Sequence, residues 1–186
     1  MKLPSFVLYL FLVFHFGWNG QAVADQTDPR LDGLFIELHE TDNPHKARLI
    51  ERSIWAVWLA SKSPTLELLM GRVVGAGGKQ AYGEALDLLN TIVTIAPDYA
   101  EGWNKRATIY FLLGQYQNSI DDVERTIDLE PRHFGALSGL GLIYMRLEEF
   151  SSALDAYERA LLVNPHLGHA EKEAERLRKK VKGEKI

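Results

Sequence analysis

With 186 residues, 46% of them hydrophobic, and a net charge of −4, the chain has material for one domain with a continuous core. It has no cysteine, which excludes thiol nucleophiles, disulfides and cysteine metal sites. Residues 25–170 carry 21 acids against 13 bases, a balance that would repel phosphate backbones and argues against nucleic acid, whereas residues 171–186 carry seven bases against four acids.

The first segment differs from the rest. Lys2 precedes an apolar run over residues 3–16, broken only by Pro4, Ser5 and His15, and Ala22-Val23-Ala24 stands before Asp25. Residues 1–24 resemble a secretory signal peptide, whose apolar run is short for a membrane span. The resemblance implies an exported chain, with a bacterial periplasm the favoured compartment and no stable membrane span after cleavage. The alternative is an uncleaved signal anchor holding the chain to the membrane.

Residues 25–65 predict a helical hairpin. Leu31, Leu34, Phe35 and Leu38 fall on one face over residues 30–40, and Ala47, Ile50, Ile54 and Val57 on one face over residues 45–61, with a turn at Asp42, Asn43 and Pro44. This is a divergent repeat or an N-terminal cap. Trp55 and Trp58 are packing residues or, failing that, a partner surface.

From there the chain is periodic. Pro97, Pro131 and Pro165 stand 34 residues apart and define units 66–99, 100–133 and 134–167. Position 4 reads Leu69, Trp103, Leu137; position 17 is aromatic throughout, Tyr82, Tyr116, Phe150. Apolar residues at positions 4, 8 and 11, then at 20, 24 and 27, predict two amphipathic helices per unit around a short break. Such a unit cannot bury its apolar face alone and must stack. In unit one, Gly77 and Gly78 are expected to end the first helix early, since an interior glycine costs about 1 kcal/mol relative to alanine. Asp98 and Glu101 form a candidate capping box for the first helix of unit two.

Over residues 168–186 one further helix keeps Ala170, Ala174, Leu177 and Val181 at positions 3, 7, 10 and 14. Positions 4, 8 and 11 have become Glu171, Glu175 and Arg178. A charged face is what an exposed solenoid end requires, so these residues read as a capping helix with a basic tail.

Leu137, Leu140, Gly141, Tyr144, Ala153, Tyr157, Ala160 and Pro165 carry a resemblance to the tetratricopeptide repeat. Trp103, Ala107, Tyr110, Val123 and Pro131 repeat it in unit two, and unit one departs from it at Val73 and Ala76. The resemblance implies an all-α, right-handed solenoid of antiparallel hairpins whose first helices line a concave, protein-binding groove. Positions 2, 5, 9, 12 and 13 commonly contact the ligand in this family. Here they are Glu67, Met70 and Val74, with Gly77 and Gly78 beside them; Glu101, Asn104, Thr108, Phe111 and Leu112; and Gly135, Ser138, Leu142, Met145 and Arg146. Phe111, Leu112, Leu142 and Met145 predict an apolar patch, filled by a partner peptide or covered by the N-terminal hairpin. The family members that grip the carboxylate of heat-shock chaperones use basic and amide residues where this chain has Met70, Val74, Lys105, Gly135 and Gly139, so that specificity is not expected.

Chemical motifs are weak. Gly78-Lys79 lacks the remainder of a phosphate loop, and Ser138 misses a nucleophile elbow by one residue. His166 and His169 have no third ligand, and Asp121-Asp122 and Glu148-Glu149 suit solvated helix turns. No cofactor or metal is implied. The sequence therefore points to a non-enzymatic scaffold or adaptor of an exported compartment, binding a protein or peptide. An accessory factor of cytochrome c maturation is an alternative; self-association through the groove and a hydrolase using surface acids are the rivals of other kinds.

Overall fold

The computed structural model describes residues 28–183, and every regular element among them is helical. The predicted signal segment lies outside the described residues. The helices are α1 (Arg30–Glu40), α2 (Pro44–Leu59), α3 (Pro64–Gly78), α4 (Tyr82–Ile95), α5 (Ala100–Leu112), α6 (Tyr116–Leu129), α7 (Phe134–Arg146), α8 (Phe150–Val163) and α9 (Gly168–Val181).

Local chemistry sets their ends. Asn43 caps α2 by accepting from the His45 and Lys46 amides, ahead of Pro44 in the first helical position. Ser63 and Pro64 do the same for α3, which therefore starts two residues before the repeat's first position. The inner helices all end alike. Gln80, Gly114 and Glu148 share one repeat position and adopt φ of 57, 71 and 60°. The following amides of Ala81, Gln115 and Glu149 reach back to the carbonyls of Ala76, Tyr110 and Tyr144 at 2.9 Å. This left-handed turn satisfies the last helical carbonyls. It also corrects one expectation: α3 runs through Gly77 and Gly78, because Gln80, not the glycine pair, sets its end.

Within each unit the two helices pack at small residues. Gly141 lies against Tyr157, whose ring stands 2.8 Å from where a Cβ would be, so the pair meets at backbone distance. Leu66, Val73, Leu89 and Ile92 fill unit one together with Ile109 of unit two, and Ala107, Ile120, Val123, Leu140 and Ile143 continue the core between units two and three. Burial of such stripes, not helix propensity, supplies most of the stability. Ala170, Ala174 and Leu177 of α9 are buried with Tyr157, whereas Glu171, Glu175 and Arg178 are exposed.

The α1–α2 hairpin does not extend this stack. No residue of α3 belongs to its core, which closes instead on Phe134, Val163 and Leu167 from the far units. The hairpin is a strap laid across the starts of the inner helices. Tyr99 donates its hydroxyl proton to the Leu59 carbonyl at 2.9 Å, just before α5. Before α7, Arg132 pairs with Asp32 at 2.7 Å and lies over the Phe35 ring. Before α9, Asn164 donates to Glu51 at 2.8 Å, and His166 Nε2 stands 2.9 Å from the Leu38 carbonyl.

Candidate functional site

The tryptophans of the strap meet the solenoid from α2. Trp58 is 2% exposed and stacks on His133 at 4.2 Å between centroids, and Trp55 stands edge-on to His133, Phe134 and Trp58. Both tryptophans are therefore packing residues. Beneath them, His133 Nδ1 accepts from the Ala136 amide at 3.0 Å, which leaves Nε2 as the donor to Glu101 at 3.1 Å. Asn104 donates to the same carboxylate at 2.8 Å, and Lys105 Nζ lies 2.9 Å from its other oxygen and 5.7 Å from the Trp55 ring centre. Burial alone would raise the Glu101 carboxyl; His133 and Lys105 outweigh it and hold the group below its ordinary value.

This arrangement corrects several sequence expectations. Glu101 does not cap α5, whose N-cap Tyr99 makes no side-chain capping bond, and it is not a groove contact: it is fully buried under the strap. Asn104 is nearly buried beside it, and Met70 inserts into the core of unit one with Leu66 and Val73. A Cβ on Gly135 would stand 2.6 Å from Trp55, so that position is covered too. Glu67, Val74, Thr108, Leu112, Leu142 and Arg146 are exposed as expected of a groove, with Phe111, Ser138 and Met145 half-buried. The strap thus covers the N-terminal end of the groove and leaves the remainder open.

Three small hollows line that open part. The first, about 250 Å³, lies between α3 and α5 beside Val74, Gly77 and Leu112. The second, about 120 Å³, lies between α5 and α7 beside Phe111, Ala136 and Gly139. The third, about 220 Å³, is bounded by Met145, Arg146 and Tyr157 with His169 and Glu173 of α9. Thr108 borders the first two and Leu142 the last two, so they form one row. Burial pushes the Tyr157 hydroxyl up to about 12 and keeps it neutral there. Two larger depressions, about 680 Å³ between α1 and α2 and about 660 Å³ beside α6, α7 and α8, are open and charged at their rims.

His169 and Glu173 were not anticipated. They stand at positions 2 and 6 of the incomplete fourth unit, so extending the groove positions into α9 would have named His169 but not Glu173.

A stack of 34-residue helical hairpins with a lined concave face is the architecture of a tetratricopeptide solenoid. The tetratricopeptide repeat profile matches residues 100–133 and 135–167. A TPR repeat-containing protein of Rhizobium etli is 39% identical over 154 residues, covering 83% of this chain and 76% of that protein. The chain belongs to the tetratricopeptide repeat family. Among solved structures, MamA superposes with a TM-score of 0.60 at 23% identity, covering 77% of this chain and 86% of its own. The first TPR of Spaghetti (RPAP3), bound to an HSP90 peptide, superposes with a TM-score of 0.59 at 22% identity, covering 61% and 90%.

Proposed function

We propose that the chain is a non-enzymatic adaptor that binds a segment of a protein partner in the open part of its groove, in an exported compartment. The observation that carries the reading is the row of three apolar hollows along α3, α5, α7 and α9, rimmed by Val74, Leu112 and Leu142 at 62, 50 and 37% exposure. Clustered apolar exposure beside a concave surface is the mark of an interaction site. Chaperone-peptide recognition by a carboxylate clamp is not part of this reading. Met70 is buried, Lys105 is engaged by Glu101, and Gly135 lies under Trp55.

The exported address rests on the sequence of residues 1–24, and no described helix is long and apolar enough to cross a membrane. Affinity capture of the tagged protein from fractionated cells tests both parts. Leu112→Ser and Leu142→Ser, half-exposed and therefore mild for the fold, are expected to lose the partner that the parent retains. Retention of every partner by both folded variants would remove the groove from the proposal, and recovery of the chain only from the cytosol would remove the address.

A further inference from the structure

The strap is joined to the solenoid less firmly than the repeat units are joined to one another. α1 is the first described helix, so the hairpin enters the solenoid through one connection, residues 60–63 between α2 and α3. Its core is largely its own. Leu31, Phe35 and Leu38 of α1 meet Ile50, Ile54 and Val57 of α2, and the solenoid adds Phe134, Val163 and Leu167. The three cores between α3 and α9 contain no residue of α1 or α2, so the repeat units are packed whether or not the strap lies on them.

The buried polar floor beneath the strap is also complete without it. Glu101 is held by His133, Asn104 and Lys105, and His133 by the Ala136 amide, all of them residues of α5, α7 or the cap of α7. To this cluster the strap contributes rings alone, Trp58 stacked on His133 and Trp55 edge-on to it. Opening therefore breaks none of these hydrogen bonds. It hydrates the Glu101 and Lys105 charges and returns the Trp58 indole N–H to water; in the closed form that N–H is buried with no hydrogen-bond partner among the described residues. Closure is favoured by burial of Trp58 and Phe134, both 2% exposed, and by four ties at the rim. These ties join Asp32 to Arg132, Leu59 to Tyr99, Glu51 to Asn164 and Leu38 to His166, each worth roughly tenfold or less in the equilibrium. One part of a fold opens while the remainder persists when it has this anatomy. Two detached helices of 11 and 16 residues are too small to stay folded, so detachment and local unfolding are one event.

We propose that the strap is an autoinhibitory cover: α1 and α2 open together, hinged at residues 60–63, while α3–α9 stay folded, and a partner segment competes with them for the groove around Glu101, Asn104 and Gly135. The competition, unlike the opening, rests on the reading that the groove binds a protein segment. A partner reaching beneath the strap binds only the open fraction, so its apparent affinity rises in proportion to that fraction.

Hydrogen exchange read by mass spectrometry on the full chain tests the opening. In the parent, α1 and α2 should exchange together and with less protection than α5–α8. Trp58→Ala should leave α1 and α2 exchanging as an unfolded chain while α5–α8 remain protected. Asp32→Ala, at a side chain 78% exposed and so mild for the fold, should speed exchange of α1 and α2 by about twofold to fivefold. Equal protection of the strap and α5–α8 in the parent, or loss of both together in Trp58→Ala, would overturn the proposal. Affinity capture with the same three chains tests the competition, and recovery of the partner should rise from the parent to Asp32→Ala to Trp58→Ala. If the strap opens and recovery does not follow it, autoinhibition fails while a partner lost in Leu142→Ser keeps the groove reading. If no form of the chain captures a partner, the groove reading fails and the inhibitory role with it.

Discussion

Two glycines of α7 separate strap packing from helix propensity. Replacing an interior helical glycine by alanine gains about 0.5–1 kcal/mol on propensity alone. At Gly139 nothing stands within 4 Å of the new Cβ, so the full gain is expected. At Gly135 the new methyl would lie 2.6 and 2.7 Å from Trp55 Cη2 and Cζ2. Trp55 cannot swing clear, since Trp58, His133 and Phe134 hold its ring at centroid distances of 5.3, 5.4 and 5.7 Å. Overpacking of this kind costs about 1–3 kcal/mol, which exceeds the smaller propensity gain available at the second residue of the helix. Urea denaturation of both variants should therefore show Gly139→Ala stabilised by up to about 1 kcal/mol and Gly135→Ala destabilised by about 1–2 kcal/mol. Equal stabilisation of the two would mean that α2 does not lie on α7, and the account of the strap would be wrong.

Three further outcomes follow from individual contacts. Because the folded Glu101 carboxyl sits below its ordinary 4.5, its contribution is present at neutral pH and disappears as pH falls through the acid range below that value. Glu101→Gln should cost about 2–4 kcal/mol at pH 7 and flatten the loss of stability on acidification, as thermal melts against pH would show. At the shared left-handed turn, Gly114→Ala should cost about 1 kcal/mol and Glu148→Gly should gain up to about 1 kcal/mol, since only unit two carries the residue suited to φ of 71°. The Tyr157 hydroxyl is buried with no hydrogen-bond partner among the described residues, so Tyr157→Phe should be neutral or stabilising by up to about 1 kcal/mol in calorimetry.

The helices were legible because their information is local. A 34-residue interval, small residues at Gly141 and Ala153 and an aromatic at Tyr157 fix the hairpin of unit three without distant contacts. The N-terminal hairpin was legible, and its lying over the groove was one of two alternatives, but the place where it docks was not. Its anchoring pairs join Asp32 to Arg132, Glu51 to Asn164 and Leu38 to His166, each across 100 residues or more, and no periodicity encodes such pairings. The same reason explains Glu101, whose sequence context suits both a capping box and a groove contact; only the arrival of α2 and His133 decides that it is buried. The open groove positions Val74, Leu112 and Leu142 were readable from register, whereas His169 and Glu173 were obscured by the change of composition in α9.

The claim that the open groove is the working surface is tested most directly by site-specific photocrosslinking in cells. A photoreactive side chain at Leu142, between the second and third hollows, should capture a protein partner, and the same side chain at Leu162, 76% exposed on α8 and outside the groove, should not. Adducts that form at Leu162 and are absent at Leu142 would place the binding surface elsewhere on the solenoid and contradict the account.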